Sequence, residues 1–160
     1  MRLNTFLSVA MVVAACGCSG SSDANESRNI EVVELLHSEV WSKGNVDLIE
    51  TIYSEDVIGH FPAGSVRGHA GIQSQVEAHR TSFPDWTETI DDIIADGDRV
   101  VTRFTSRGTN LGEFLGKPAT GSRVEISEVC VHRFADGKIV EQWVYPDFPS
   151  LQRQLDSERD

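Results

Sequence analysis

The sequence lacks the short motifs of several enzyme classes. It contains no His-Glu-x-x-His zinc motif, no Cys-x-x-Cys pair, no glycine-rich phosphate loop and no Gly-x-Ser-x-Gly nucleophile turn. Metal-dependent, nucleotide-dependent and serine-hydrolase chemistry are therefore disfavoured. We expect neither a metal nor a cofactor.

Positive charge is also scarce. The chain has 14 Lys and Arg residues against 25 Asp and Glu residues, a net charge of −11. An acidic surface repels phosphate backbones and anionic membrane surfaces, so nucleic acid is not an expected partner. The apolar fraction of 39% and the length of 160 residues suit one globular domain.

No apolar run is long enough to cross a membrane. Residues 3–15 form an apolar stretch of about a dozen residues after a single basic residue, which is the pattern of a signal peptide. Residues 13–16 read Val-Ala-Ala-Cys and resemble the bacterial lipobox, in which the cysteine is lipidated. We expect a lipoprotein signal peptide over residues 1–15 and lipidation of Cys16. An ordinary cleaved signal peptide is the alternative.

The residues after Cys16 predict how the folded domain is connected to the expected lipid anchor. Residues 16–28 are rich in Ser and Gly and predict a flexible tether. Acyl chains on Cys16 would anchor the protein without a transmembrane helix. The expected location is therefore the bacterial cell envelope, with membrane contact only through the lipid anchor.

The rest of the chain places helices before strands. Apolar residues at helical spacing predict three helices, at residues 30–41, 45–53 and 69–83. A period of two then predicts strands at residues 87–95, 99–109 and 123–134, a hairpin at Asp136-Gly137 and one more strand. A short final helix would carry Leu151 and Leu155. This order indicates an α+β fold.

Strand alternation after the hairpin suggests a pocket wall. Ile139, Glu141, Trp143, Tyr145 and Asp147 occupy alternate positions, so they are expected on one face. Two carboxylates, an indole and a phenol are unusual on a core surface. They suit the wall of a small-molecule pocket, which is mostly apolar with a few polar groups.

The same hairpin carries a family resemblance. Asp136-Gly137-Lys138-Ile139, followed by Glu141, Trp143 and Asp147, resembles the closing hairpin of SnoaL-like polyketide cyclases, also called ester cyclases. The stretches at residues 41–45, 83–85 and 112–121 agree with it. The resemblance spans residues 29–155. It implies an NTF2-like cone over residues 29–156, with a bent, mostly antiparallel sheet wrapped over N-terminal helices, and a possible homodimer.

The resemblance implies that Asp147 is the acid/base group. In the family, the aspartate four residues after the hairpin Trp takes a proton from an activated carbon, without a cofactor. A carboxylate in an apolar cavity has a raised pKa that suits this work. The alternative is that Asp147 only caps the last helix. Pro146 directly before it also ends strand pairing and could redirect the carboxylate.

Two histidines are expected to assist. His132 shares a strand face with Glu128, Cys130 and Phe134, and hairpin pairing brings that strand beside the one before Asp147. His60 lies where the family often has a histidine facing the cavity mouth. A satisfied structural histidine and a surface-loop histidine are the respective alternatives. Cys130 is expected to be a small buried hydrophobe.

Aromatic residues are the expected substrate-binding groups. They would pack the cone or line its mouth, and only some should touch a ligand. The set comprises Trp41, Phe61, Phe83, Trp86, Phe104, Phe114, Trp143 and Tyr145.

Three functions follow as hypotheses. The first is a cofactor-independent cyclase, isomerase or lyase that acts on a small apolar carbonyl compound. The second is a non-catalytic, lipid-anchored protein of the cell envelope that binds a small apolar molecule. The third, an epoxide-type hydrolase, would need a water molecule held by several polar groups.

Overall fold

The computed structural model describes residues 19–157. The helices are α1 (Ser19–Leu35), α2 (Ile49–Ile52), α3 (Gly68–Ser82) and α4 (Phe148–Asp156). The strands are β1 (Tyr53–Phe61), β2 (Gly64–Arg67), β3 (Thr87–Asp96), β4 (Arg99–Thr109), β5 (Arg123–Ala135) and β6 (Lys138–Pro146). A π-helical turn at Leu36–Trp41 extends α1, and a 3₁₀ turn at Val46–Leu48 precedes α2.

The six strands form one sheet in the order β2-β1-β6-β5-β4-β3. Every neighbouring pair is antiparallel except β1 and β6, which are parallel. The predicted α+β class is confirmed, and β4 has the predicted bounds. Two apolar clusters form the core. The first is built mainly by the π-helical turn, α2, α3 and β1, and the second by β5, α4 and the rings of Phe83 and Trp86.

The N-terminal region differs in part from the expected tether. The predicted signal peptide and Cys16 lie outside the described residues. Helix α1 begins at Ser19, so residues 19–28 are helical rather than a flexible linker. Contacts with the sheet explain the difference, because the Gly97 amide donates a 3.0 Å hydrogen bond to the Glu26 carboxylate and Asn29 is buried. No helix within residues 19–157 is long and apolar enough to span a membrane.

A β-bulge in β6 overturns the predicted strand face. Arg133 pairs with Glu141, but Phe134 pairs with Ile139, so Val140 is an extra residue on β6. A one-residue insertion moves every later side chain to the opposite face of the sheet. Ile139 therefore points into the core together with Gln142, and Glu141 turns to the outer face.

The hairpin before the bulge was predicted correctly. Asp136 has a φ of 51° and Gly137 has a φ of 74°, as a two-residue turn with two left-handed positions requires. The turn fixes β5 against β6, and the bulge then decides which residues face inward.

Candidate active site

The site is a cavity of about 860 Å³ on the inner side of the sheet. The elements that line it are the π-helical turn, the end of β1 with the turn after it, α3, strands β3 to β6, the loop at residues 110–122 and α4. Most of them are apolar or aromatic. A few buried polar groups interrupt this wall, which is the usual composition of a small-molecule site.

Five of the eight predicted aromatic residues line this cavity: Trp41, Phe61, Trp86, Phe104 and Phe114. Phe83 lies behind them, fully buried, with its ring centroid 5.1 Å from that of Phe114. The bulge turns Trp143 and Tyr145 to the outer face, where Trp143 stacks on His60 and Tyr145 is 59% exposed. The prediction that these two line the pocket is wrong.

Asp147 is not placed for the predicted role. Its side chain is exposed and caps α4, where Oδ1 accepts a 3.1 Å hydrogen bond from the Ser150 amide. It does not line the cavity. Asp147 at the N-cap and Pro149 in the first turn of α4 form a typical helix start. Helix capping therefore decides the orientation of the Asp147 side chain. The structure thus matches the capping alternative.

Asp147→Ala should weaken the fold more than it affects chemistry in the cavity. Loss of an N-cap aspartate costs about 1 kcal/mol of unfolding free energy. The carboxylate lies outside the cavity, so we expect any acid–base reaction in the cavity to change in rate by less than about twofold. Thermal melting and proton-exchange assays would check both. A loss of about a hundredfold in rate, the size typical of an acid/base group, would restore Asp147 to the mechanism.

His60 also lies away from the cavity. Its Nε2 atom is 3.0 Å from Glu141 Oε1 and its Nδ1 atom is 2.8 Å from Ser65 Oγ, on the outer face of the sheet. The Arg133 guanidinium donates to Glu141 Oε2 at 2.8 Å. Hydrogen bonds from His60 and Arg133 lower the pKa of Glu141. The expected position of His60 at the cavity mouth is therefore wrong, and His60 belongs to this outer charged cluster.

His132 does line the cavity, as the sequence analysis expected. It is 1% exposed and shares the inner face of β5 with Glu128 and Cys130. Burial, with a smaller effect of the nearby His37 ring, lowers the pKa of His132 to about 3. The ring is therefore neutral at physiological pH. Burial raises the pKa of Cys130 well above its usual range, so its thiol keeps its proton.

Glu128 is a buried carboxylic acid in the wall of the cavity. It is 8% exposed, and its Oε1 atom accepts a 2.6 Å hydrogen bond from Ser106 on β4. Burial, and then the negative charge of Glu88, raise the pKa of Glu128 from 4.5 to about 8. Strand alternation predicted that Glu128 shares the face of β5 that carries His132, but no role was predicted for Glu128. Its position two residues before a buried cysteine and four before a buried histidine was the available signal.

A second acidic group lies in the same cavity and pairs with a histidine. The Nδ1 atom of His37 is 2.6 Å from Glu88 Oε2, and its Nε2 atom is 3.2 Å from the Thr102 hydroxyl. The Trp86 indole donates to Glu88 Oε1 at 3.2 Å. Both His37 and Glu88 line the cavity.

His37 and His79 fall within predicted helices, where a surface position is the simplest expectation for a histidine, and this expectation is wrong. His37 lies on the π-helical turn and is 4% exposed. It follows Val33 by four residues, so helical spacing placed it on the buried face. His79 follows Val76 by three residues and lines the cavity as well. Burial, with Arg80 nearby, lowers the pKa of His79 to about 4.

The geometry supports transfer of a proton by a carboxyl group. Two carboxyl groups that are both buried in one apolar cavity, as Glu88 and Glu128 are, cannot both ionise easily, so one of them takes a raised pKa. Here Glu88 has a histidine and an indole as partners, whereas Glu128 has a serine hydroxyl. Among residues 19–157, no cluster of three or more His, Cys, Asp or Glu side chains is arranged to hold a metal ion.

Solved structures of similar proteins share this fold. A SnoaL-like protein from Jannaschia sp. CCS1 has 24% identity and a TM-score of 0.78, with 82% of this chain and 94% of that chain covered. IdmH from Streptomyces antibioticus has 31% identity and a TM-score of 0.70, with 79% and 97% covered. The NTF2-like α+β cone predicted from the sequence is confirmed.

Sequence comparison gives the family. Aklanonic acid methyl ester cyclase from Streptomyces peucetius is 24% identical over 132 residues, which cover 82% of this chain and 81% of that protein. The SnoaL-like polyketide cyclase family matches residues 31–155. This chain therefore belongs to the SnoaL-like polyketide cyclase family.

Proposed function

We propose that this protein is a cofactor-independent acid–base enzyme of the cyclase, isomerase or lyase type. Its substrate class is a small, mostly apolar carbonyl compound, and Glu128 is the group that accepts the proton. The single observation that carries the proposal is the buried carboxyl of Glu128 in the wall of an apolar cavity, with a pKa raised to about 8.

A raised pKa makes Glu128 a suitable base. Removal of a proton from carbon beside a carbonyl group needs a base whose conjugate acid is weak. A carboxylate with an ordinary pKa near 4.5 is a poor base for this step, whereas one near 8 binds the proton more strongly and still ionises close to neutral pH. The hydroxyl of Ser106 fixes the carboxyl at 2.6 Å, so its position in the wall is defined.

Glu88 and His37 would maintain that environment. The negative charge of Glu88 contributes to the raised pKa of Glu128, and His37 and Trp86 hold the Glu88 carboxylate in place. The surrounding rings of Trp86 and Phe104 would exclude water and bind the apolar part of a substrate. Proton abstraction would then yield an enolate that attacks a second carbonyl carbon in a cyclase, or is reprotonated in an isomerase.

Proton exchange is the most general test of this chemistry. 2-Tetralone is a compact bicyclic ketone with acidic protons beside its carbonyl group, and their replacement by deuterium in D₂O is followed by proton NMR. We expect the protein to accelerate exchange, with a rate that rises with pH and levels off above about 8 as Glu128 ionises. Aklanonic acid methyl ester is the first compound to test for ring closure, because a relative is named for it.

Glu88→Gln supplies the matched control for the pH profile. Glutamine keeps an oxygen to pair with His37 but removes the negative charge that raises the pKa of Glu128. The midpoint of the profile should therefore move to lower pH. A midpoint that stays in place, or a wild-type protein that binds 2-tetralone and never accelerates exchange, would contradict the proposal.

A non-catalytic ligand-binding protein is the second candidate. The mostly apolar wall favours it, and so does the position of Asp147 outside the cavity. Saturable binding of 2-tetralone without any accelerated exchange would be its signature.

We also propose the cell envelope as the location, on the Val-Ala-Ala-Cys stretch at residues 13–16. Cys16→Ser should abolish metabolic labelling with a radioactive fatty acid and leave the protein outside the membrane fraction. Unchanged labelling and unchanged membrane attachment of this variant would contradict a lipid anchor at Cys16.

A further inference from the structure

Two buried nitrogen atoms on neighbouring strands have no hydrogen-bond partner. His132 on β5 and Gln142 on β6 are direct cross-strand partners, both line the cavity and each is 1% exposed. Within residues 19–157, neither His132 Nε2 nor Gln142 Nε2 has a hydrogen-bond partner. A buried donor without a partner is costly, so a pair of them at one place in a cavity wall needs an explanation.

Tyr53 fixes which end of the Gln142 amide is free. The fully buried Tyr53 hydroxyl donates a 2.7 Å hydrogen bond to Gln142 Oε1. The amide oxygen is therefore occupied, and the free end is the Nε2 group, which can only donate. Gln142 offers the cavity a donor and no acceptor.

Cys130 offers a hydrogen-bond donor to the other ring nitrogen of His132. The Cys130 sulfur lies 3.9 Å from His132 Nδ1, and the thiol keeps its proton. A thiol is a weak donor and also a weak acceptor, so this contact is compatible with both ring tautomers. We assign the ring hydrogen to Nε2, the tautomer in which the thiol donates to Nδ1 and Nε2 is a donor toward the cavity.

We propose that His132 and Gln142 together bind a carbonyl oxygen of the ligand and stabilise it as an enolate oxygen. Two N–H donors, on adjacent strands, define an oxygen-binding pair at a fixed place in the wall. This inference deepens the proposed function and rests on it for the enolate. It narrows the ligand to a ketone, ester or related carbonyl compound whose oxygen points toward β5 and β6.

The position of Glu128 suits this arrangement. Glu128 and His132 lie on the same face of β5, four residues apart, so their Cα atoms are about 13 Å apart in an extended strand. Both side chains line the cavity, and the smaller Cys130 side chain lies between them on the strand.

The reaction step balances without an added reagent. Glu128 takes the proton from the carbon beside the carbonyl group, and the C–H electron pair becomes the C=C bond of the enolate. The π electrons of the C=O bond move to the oxygen, which accepts hydrogen bonds from His132 and Gln142. Nothing is oxidised or reduced.

Two matched probes separate oxygen binding from apolar binding. 2-Tetralone and tetralin share a skeleton, but only the ketone has an oxygen. In the wild type, we expect the ketone to bind more tightly and its ¹³C-labelled carbonyl stretch to lie at lower wavenumber than in hydrocarbon solvent. His132→Phe, and Gln142→Met combined with Tyr53→Phe so that no phenol is left unpaired, should each weaken ketone binding about tenfold.

The controls show whether a loss of ketone binding is due to the carbonyl oxygen or to the apolar skeleton. Tetralin binding should be unchanged in both variants, and Val144→Ala, an apolar change in the same wall, should alter ketone and hydrocarbon binding equally. Tyr53→Phe alone tests whether Tyr53 positions the Gln142 amide. Without the Tyr53 hydroxyl the amide is free to rotate, so the carbonyl stretch of bound 2-tetralone should shift less, while tetralin binding stays constant. Melting curves establish that each variant folds.

Failure of this inference is distinct from failure of the proposed function. A wild-type carbonyl band at the hydrocarbon-solvent position, or a ratio of ketone to hydrocarbon affinity that is the same in the variants, would overturn the oxygen-binding pair. Ordered water would then be the partner of both nitrogens. Preferential ketone binding with a shifted band but no proton exchange would support the pair and overturn catalysis by Glu128.

Discussion

Glu128→Gln should abolish proton exchange and stabilise the folded protein at neutral pH. Glutamine has the shape of the acid and can still accept the hydrogen bond from Ser106, but it cannot take a proton from carbon. Loss of a positioned acid/base group typically lowers the rate by about 10²- to 10⁴-fold. The same change removes a group that is unfavourable to bury.

The sign of the stability effect follows from the pKa. The pKa of Glu128 is about 8 in the folded state, against 4.5 as its ordinary value, so the folded protein binds the proton more tightly than the unfolded chain. Below pH 4.5 the acid is protonated in both states and no difference arises. As pH rises from 4.5 to 8, the wild type loses unfolding free energy. The loss at pH 7, relative to pH values below 4.5, is about 3 kcal/mol.

Denaturant unfolding of the two proteins at pH 4 and pH 7 would measure this effect. The variant should gain at pH 7 and have nearly the same unfolding free energy as the wild type at pH 4. Glu125→Gln is the matched control, because Glu125 lies on the same strand but on its exposed face, in an ion pair with Arg107. An equal change for both variants would mean that Glu128 is not a buried acid.

Gly112→Ala should destabilise the protein strongly by steric overlap alone. A Cβ atom at Gly112 would lie 2.2 Å from the carbonyl oxygen of Thr81 at the end of α3. The Gly112 amide donates to the Ser82 carbonyl at 3.1 Å, so the loop cannot move back without losing that bond. Backbone atoms cannot rotate away as a side chain can, and we expect a loss of about 3 kcal/mol.

The change would also reach the cavity. Gly112 lies in the loop at residues 110–122, which also carries Phe114, and Phe114 lines the site. Displacement of this loop should weaken binding of tetralin and 2-tetralone together. Thermal melting measures the first effect, with an expected drop of about 10 °C. Leu111→Ala, at a neighbouring residue that is 60% exposed, is the control, and comparable losses for both variants would contradict this packing.

The sequence was sufficient for the fold but not for the site. Period-two patterns and the Asp136-Gly137 turn gave the long strands of the sheet, because burial of one face imposes alternation. The extra residue Val140 was not visible in that pattern, since a bulge depends on the pairing of β6 with β5. Because of this one extra residue, Gln142 and Val144 point to the inner face. Glu141, Trp143 and Tyr145, which were expected there, point outward.

The burial of His37 and His79 was also not predictable from the local sequence. His37 and His79 occupy positions that helical spacing already assigned to the core, but a polar residue type argued for the surface. Only the structure shows the partners that make burial possible, which for His37 are Glu88 and Thr102 on β3 and β4. Those contacts join residues that are 51 and 65 positions apart, and no local pattern predicts them.

Titration of the Glu128 carboxyl in the folded protein would show directly whether this group is a buried acid with a raised pKa. The protein labelled with ¹³C at glutamate side-chain carboxyls, compared with Glu128→Gln to assign the signal, reports protonation by NMR. One carboxyl should titrate near pH 8, and its signal should be absent in Glu128→Gln and titrate at lower pH in Glu88→Gln. A Glu128 signal that titrates near 4.5, as an exposed glutamate does, would contradict it.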